Sequence, residues 1–145
     1  GGVLKSVLKP TYVVDLVADE GINSVHVLSE HVGLTQNNLL ERFAYNPNLK
    51  NVSTFFTKEI AEREINNAIS KNLEAFERWL KSAQEGDIDD TIIRGYDTGV
   101  NLGFGFKNSL TRVDNISKIT VVFKKVSSHK PNGFVVYTAF PEIRF

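Results

Sequence analysis

The chain has 145 residues, 41% of them hydrophobic, with 17 Lys/Arg against 17 Asp/Glu and no cysteine. That length supports one folded core, and the missing cysteine excludes disulfides and thiolate metal sites. Zero net charge excludes a globally basic nucleic-acid binder.

Residues 10–20, PTYVVDLVADE, are too short to assign. Residues 24–32 suit a short helix closed by Gly33, a residue that tolerates the left-handed turn after a helix. Thr35 is a candidate N-cap for QNNLLERFAY, which places Leu39, Leu40 and Phe43 on one side and stops at Asn46-Pro47-Asn48. VSTFF, residues 52–56, reads as a short strand. Thr57 caps a single long helix expected over residues 58–84, where Ile60, Ala61, Ile65, Ala68, Ile69, Leu73, Phe76 and Leu80 recur at helical spacing. Gly86 ends it. After that the period changes to strands, DDTIIRGYD, VNLGFGF, KITVVFKKV and FVVYTAF, separated by the turn-formers DTG, KNS and KPNG. The fold class expected is α+β, with N-terminal helices followed by a mainly antiparallel sheet and no disulfides.

No apolar run reaches the ~18 residues of a membrane span. The opening GGVLKSVLKPTYVVDLV carries Lys5, Lys9 and Asp15 among its apolar residues, unlike a signal peptide, and methionine is absent throughout. The expectation is a domain cut from a longer protein, with residues 1–20 as an N-terminal segment or part of a linker and residues 21–145 as the domain. Residues 1–100 hold 10 Lys/Arg and 15 Asp/Glu, whereas residues 101–145 hold 7 and 2. A basic sector of that kind attracts phosphate; an acidic one attracts a different partner.

Few catalytic signatures are present. The three histidines form no His-Glu-x-x-His pattern, so no metal site is expected, and nothing matches Gly-x-Ser-x-Gly. The glycines of GVNLGFGF precede no helix and no Gly-Lys-Ser/Thr, so they mark a bend or close packing rather than a phosphate loop. A single histidine remains suited to proton transfer near neutrality. His26 and His31 are five residues apart, about 140° around a helix or on opposite faces of a strand, so one element cannot aim both at one substrate.

Three segments together, HVLSEHVGLTQNNLLERF, VSTFFTKEIAEREINNAISKNLEAFERWL and KITVVFKKVSSHKPNGFVVYTAFP, resemble the ribonuclease A-like toxin domain at the C-terminus of bacterial contact-dependent growth inhibition proteins. The resemblance covers roughly residues 21–143. It implies a ribonuclease A-like fold and an endoribonuclease that needs no metal or other cofactor and forms a 2′,3′-cyclic phosphate. It also implies delivery by a larger surface-displayed protein, a cognate immunity protein as partner, and RNA as substrate in the cytoplasm of a competing bacterium. Carried over by motif, the histidine of His-Val-Gly is His31, the arginine of Leu-Leu-x-Arg is Arg42, and the hydroxyl of the last strand is Thr138. The family's tyrosine two residues later is Phe140 here, which can stack but cannot donate a proton.

These residues suit the chemistry implied: a base or acid in His31, a planar cation for phosphate in Arg42, and a hydroxyl donor in Thr138. His26 is then structural or supports the site, and Ser53 and Thr54, like Tyr12 and Tyr45, are looser hydroxyl candidates. His129, in the turn SSHKPNG, is expected as a solvated loop histidine or a mobile second acid. The alternatives are an EndoU-like or barnase-like nuclease toxin with another constellation, and a catalytically weak RNA- or protein-binding module.

Overall fold

The structure is a computed structural model that describes residues 12–143. Of the N-terminal segment expected over residues 1–20, residues 1–11 lie outside the described residues. Within residues 12–20, Val14, Leu16 and Asp19 are buried, whereas Val13 and Val17 stay exposed. Asp15 accepts a hydrogen bond from the Ala18 amide and so starts α1 (Leu16–Asp19), whose Leu16 is fully buried.

A short 3₁₀ turn at residues 22–24 leads to α2 (Val27–His31). Gly33 then takes φ +67°, and its amide donates to the Phe55 carbonyl, so the chain reverses against β1 (Val52–Phe55). Thr35 and Asn38 form a reciprocal cap that starts α3 (Gln36–Tyr45), as the sequence predicts. Leu39 is buried with Val52, Phe104 and Phe106 in a satellite core.

The helix expected over residues 58–84 is two helices, α4 (Lys58–Lys71) and α5 (Leu73–Ser82). Asn72 leaves helical geometry at φ −123°, ψ 29°, and its side-chain amide donates to the Ala68 carbonyl. A short polar side chain that competes for the backbone in this way breaks a helix without proline or glycine. The break lets Phe76 reach Tyr12, Trp79, Phe123 and Phe134, with ring centroids 4.8–5.9 Å apart.

The remaining strands are β2 (Ile88–Asp97), β3 (Gly103–Asn108), β4 (Thr111–Ile116), β5 (Lys118–Lys125) and β6 (Phe134–Pro141). The architecture is α+β, but the strands form two antiparallel three-stranded sheets, ordered β1-β3-β4 and β2-β5-β6. β4 has no apolar alternation because it is an edge strand, mostly exposed, paired only with β3. In the second sheet Val121 and Ala139 are paired and fully buried in the main core, which also holds Ala61, Ile65, Ala68 and Phe76 of the helices. The opposite face carries the pairs Thr120–Phe140 and Val122–Thr138. Tyr137 is the extra residue of a bulge just before Thr138.

Gly103 and Gly105 sit where β3 crosses β1, as close packing requires. A Cβ on Gly103 would overlap the Thr54 carbonyl, and one on Gly105 the Val52 carbonyl. Neither backbone atom can swing away as a flexible side chain would. Gly103→Ala is therefore expected to lower stability by about 1–3 kcal/mol, seen as a lower denaturant midpoint without a changed slope. An unchanged midpoint would mean that the two strands part without cost.

Candidate active site

The elements around β1 bring the first candidates together. α2 packs on both β1 and β6, and α3 folds back over β1. His31 ends α2, Arg42 sits on α3, and Phe140 lies near the end of β6. His31, Arg42, Asn51, Val52, Ser53 and Phe140 line one cleft of about 160 Å³.

His31 is half-buried, and its Nδ1 lies 3.2 Å from the Ser53 carbonyl oxygen. A carbonyl has no proton to give, so Nδ1 carries the hydrogen and Nε2 keeps its lone pair. Burial is the main influence on the ring, and it holds the pKa below the usual histidine value; the Arg42 charge lowers it further, against the Ser53 carbonyl and Glu30. The ring stands 5.6 Å from that of Phe140, tilted by 41°.

Arg42 is half-buried, and its Nη1 donates to the Glu30 carbonyl at 3.3 Å. That single tether leaves the rest of the fork for an anion. The fold-back at Gly33 that the sequence suggests is what places this arginine beside the histidine.

Ser53 and Thr54 are both buried, with their hydroxyls committed. Ser53 Oγ donates to the Pro141 carbonyl at 2.6 Å, while its own carbonyl faces His31. Thr54 Oγ1 accepts from the Leu34 amide and donates to the Phe55 carbonyl. Ser53 thus ties β1 to the end of β6 and fixes how far His31 stands from Phe140. Thr138 shares a face of β6 with Phe140 but does not line the cleft, and its hydroxyl has no hydrogen-bond partner among the described residues.

The other histidines lie elsewhere. His26 is exposed at the N-terminal end of α2 and does not line the cleft. His129 is neither a solvated loop residue nor a mobile acid: its Nε2 is 2.9 Å from Asp19 Oδ1, and Asp19 Oδ2 accepts from the Val136 amide. Burial raises the Asp19 pKa despite these partners. Asp19 thus joins α1 to the β5–β6 turn and to β6, across 110 and 117 residues of sequence, which no local pattern could reveal. Tyr12 is a core residue bonded to Glu77, and Tyr45 is exposed at the end of α3. Among the described residues no group of three His, Asp or Glu is arranged to hold a metal ion.

A neutral imidazole with a free Nε2, next to a guanidinium with spare donors, can take a proton from a hydroxyl while stabilising charge on a phosphorus centre. The acid limb of any reaction that uses His31 as base is expected below pH 6.5, because the group stays neutral further into acid than a free histidine does. The sign for stability is the same: neutral His31 favours the fold above the ordinary histidine pKa, and that contribution is lost as pH falls through the lowered value. A kcat/KM profile from pH 4.5 to 8 reads it; a limb above 6.5 would assign the proton transfer to another group.

Residues 25–141 match a family model described as the bacterial CdiA-CT RNAse A domain. No curated protein matches the chain. Among solved structures, the chain is similar to one described as the crystal structure of a CdiA-CT/CdiI complex from Y. kristensenii. The two share 26% identity and a TM-score of 0.63, over 78% of this chain and 95% of that one.

Proposed function

The chain belongs to the bacterial CdiA-CT RNase A domain family, and from that membership we propose a metal-independent endoribonuclease toxin that uses His31, Arg42 and Thr138. His31 Nε2 takes the proton of a ribose 2′-hydroxyl. The 2′-oxygen bonds to the adjacent phosphorus, the bond from phosphorus to the 5′-oxygen breaks, and a 2′,3′-cyclic phosphate and a 5′-hydroxyl result. Arg42 holds the equatorial oxygens whose charge grows in the transition state. Thr138 donates a hydrogen bond to a phosphate oxygen; its uncommitted hydroxyl, on the same face as Phe140, supports that role. Phe140 has no proton to give, so water in the open cleft protonates the leaving oxygen. Ser53 and Thr54 support the site without touching the reacting atoms, whereas His26 lies outside the cleft at the start of α2 and keeps only a structural part.

The observation that carries this reading is the shared cleft of His31 and Arg42, with Nδ1 of the histidine already committed to Ser53. An EndoU-like or barnase-like constellation built on His26 and His129 has less support, since neither lines that cleft. The domain is carried by a larger surface protein, acts in the target cell's cytoplasm and is neutralised in the producer by an immunity protein. The similarity to a structure solved with CdiI supports that partner. No helix among the described residues is long and apolar enough to cross a membrane.

Incubation of the purified chain with total bacterial RNA in EDTA tests the reaction class. Fragments ending in a 2′,3′-cyclic phosphate are expected. Fragments ending in a 3′-hydroxyl would replace the mechanism, and an intact pool would favour a binding module.

A further inference from the structure

Asn51 lines the same cleft as His31 and Arg42, and the reaction described above gives it no part. Among the other polar side chains on that lining, the Ser53 hydroxyl is spent on the Pro141 carbonyl and Arg42 is tethered once, to the Glu30 carbonyl. The half-buried Asn51 amide makes no hydrogen bond among the described residues, so both of its N–H donors are uncommitted. We infer that Asn51 is a further catalytic residue, whose side-chain N–H donates to a nonbridging phosphate oxygen as negative charge grows there in the transition state. The inference rests on the ribonuclease reading above and adds a residue to it.

The chain holds this amide from both sides. The Leu49 amide donates to the Asn46 carbonyl in the turn after α3, and Leu49 packs against the satellite core. Val52 is buried in that same core and pairs with Phe106 of β3. Side chains alternate along a strand, so Val52 turns to the satellite core while Ser53 turns the other way, to Pro141 at the end of β6. Asn51, two residues before Ser53, shares that second face and so reaches the cleft that Phe140 also lines. A backbone anchored on both sides and a side chain with two rotatable bonds make a donor that costs little to order.

The reaction has a use for such a group. As the 2′-oxygen bonds to phosphorus, charge grows on two nonbridging oxygens, and Arg42 reaches them from α3 with one nitrogen already held by Glu30. A hydrogen bond strengthens as its acceptor becomes charged, so an amide on one of those oxygens stabilises the transition state more than the bound substrate. Thr138 does not line this cleft, which leaves Asn51 as its neutral donor without a partner among the described residues. Neutrality matters beside His31. A lysine at position 51 would add a second cation and lower the proton affinity of the imidazole further, whereas an amide stabilises the phosphate without weakening the base.

Single-turnover cleavage of a short RNA that the wild-type chain cuts tests the assignment. Asn51→Ala is expected to lower the rate at saturating protein about 10²-fold, with little change in the concentration that gives half of that rate. Asn51→Asp keeps the shape of the side chain but sets a charge against the phosphate, and it should be at least as slow. Asn48→Ala, exposed in the preceding turn and outside the cleft, should cut at the wild-type rate. Sulfur in place of one nonbridging oxygen at the cut bond separates contact from architecture, because sulfur accepts hydrogen bonds poorly. One of the two diastereomers should slow the wild-type chain by roughly tenfold more than it slows Asn51→Ala. Wild-type rates in either Asn51 variant, or a slowed alanine variant that keeps the full sulfur effect on both diastereomers, would overturn the assignment while leaving the ribonuclease reading in place. RNA left intact by the wild-type chain would overturn both.

Discussion

His31→Ala is expected to lower RNA cleavage by roughly 10²–10⁴-fold, the range typical of losing a positioned general base. The imidazole has one free nitrogen in the cleft, a guanidinium for a neighbour and a burial-lowered pKa that keeps it neutral at working pH. His31→Asn separates chemistry from architecture. Its amide can still donate to the Ser53 carbonyl, which replaces the Nδ1–H bond, but it cannot accept a proton. Both variants should be inactive in single-turnover assays, with the asparagine form closer to wild type in thermal unfolding. Wild-type cleavage by either would remove His31 from the mechanism.

The parts legible in the sequence are those governed by local rules. Thr35 and Thr57 each cap their helix from the expected position, and Gly33 makes the turn that lets α3 fold back. The glycines of GFGF were legible as close packing because a strand has few other uses for them. Apolar periodicity runs straight through Asn72, so the break between α4 and α5 was hidden: the same faces are apolar on both sides, and only the side-chain bond to Ala68 marks the change. The edge strand TRVDNI escaped because one partner strand and a solvated surface do not require alternation.

At the site, sequence order and family resemblance nominate His31, Arg42 and Thr138, and the fold puts the first two in one cleft with Phe140. Ser53 was nominated for its hydroxyl, yet its carbonyl is the group that orients the histidine, while the hydroxyl ties β1 to Pro141. Backbone groups carry no sequence signature, so this reversal could come only from the fold. The same holds for Arg94 of β2, Thr120 of β5 and Glu142 just after β6, which line one cavity only because the sheet brings them together. A phenylalanine at 140 then has a use that does not depend on a hydroxyl: its ring lies against His31 and lines both cavities.

Arg42→Ala is expected to cost roughly 10²–10³-fold in cleavage, the scale for removing one preorganised donor to developing negative charge. Folding should be little affected, because the half-buried guanidinium makes one tether, to the Glu30 carbonyl, and no ion pair among the described residues. Arg42→Lys restores the charge but not the planar fork, so it should recover only part of the rate. The pH profile gives a second readout that a merely structural arginine would not move. Burial sets most of the lowering of the His31 pKa and the Arg42 charge adds to it, so the acid limb should shift upward towards 6.5 in the alanine variant and less so in the lysine variant. A rate loss with an unmoved limb would place Arg42 too far from the imidazole to share its phosphate, and the paired mechanism would fail.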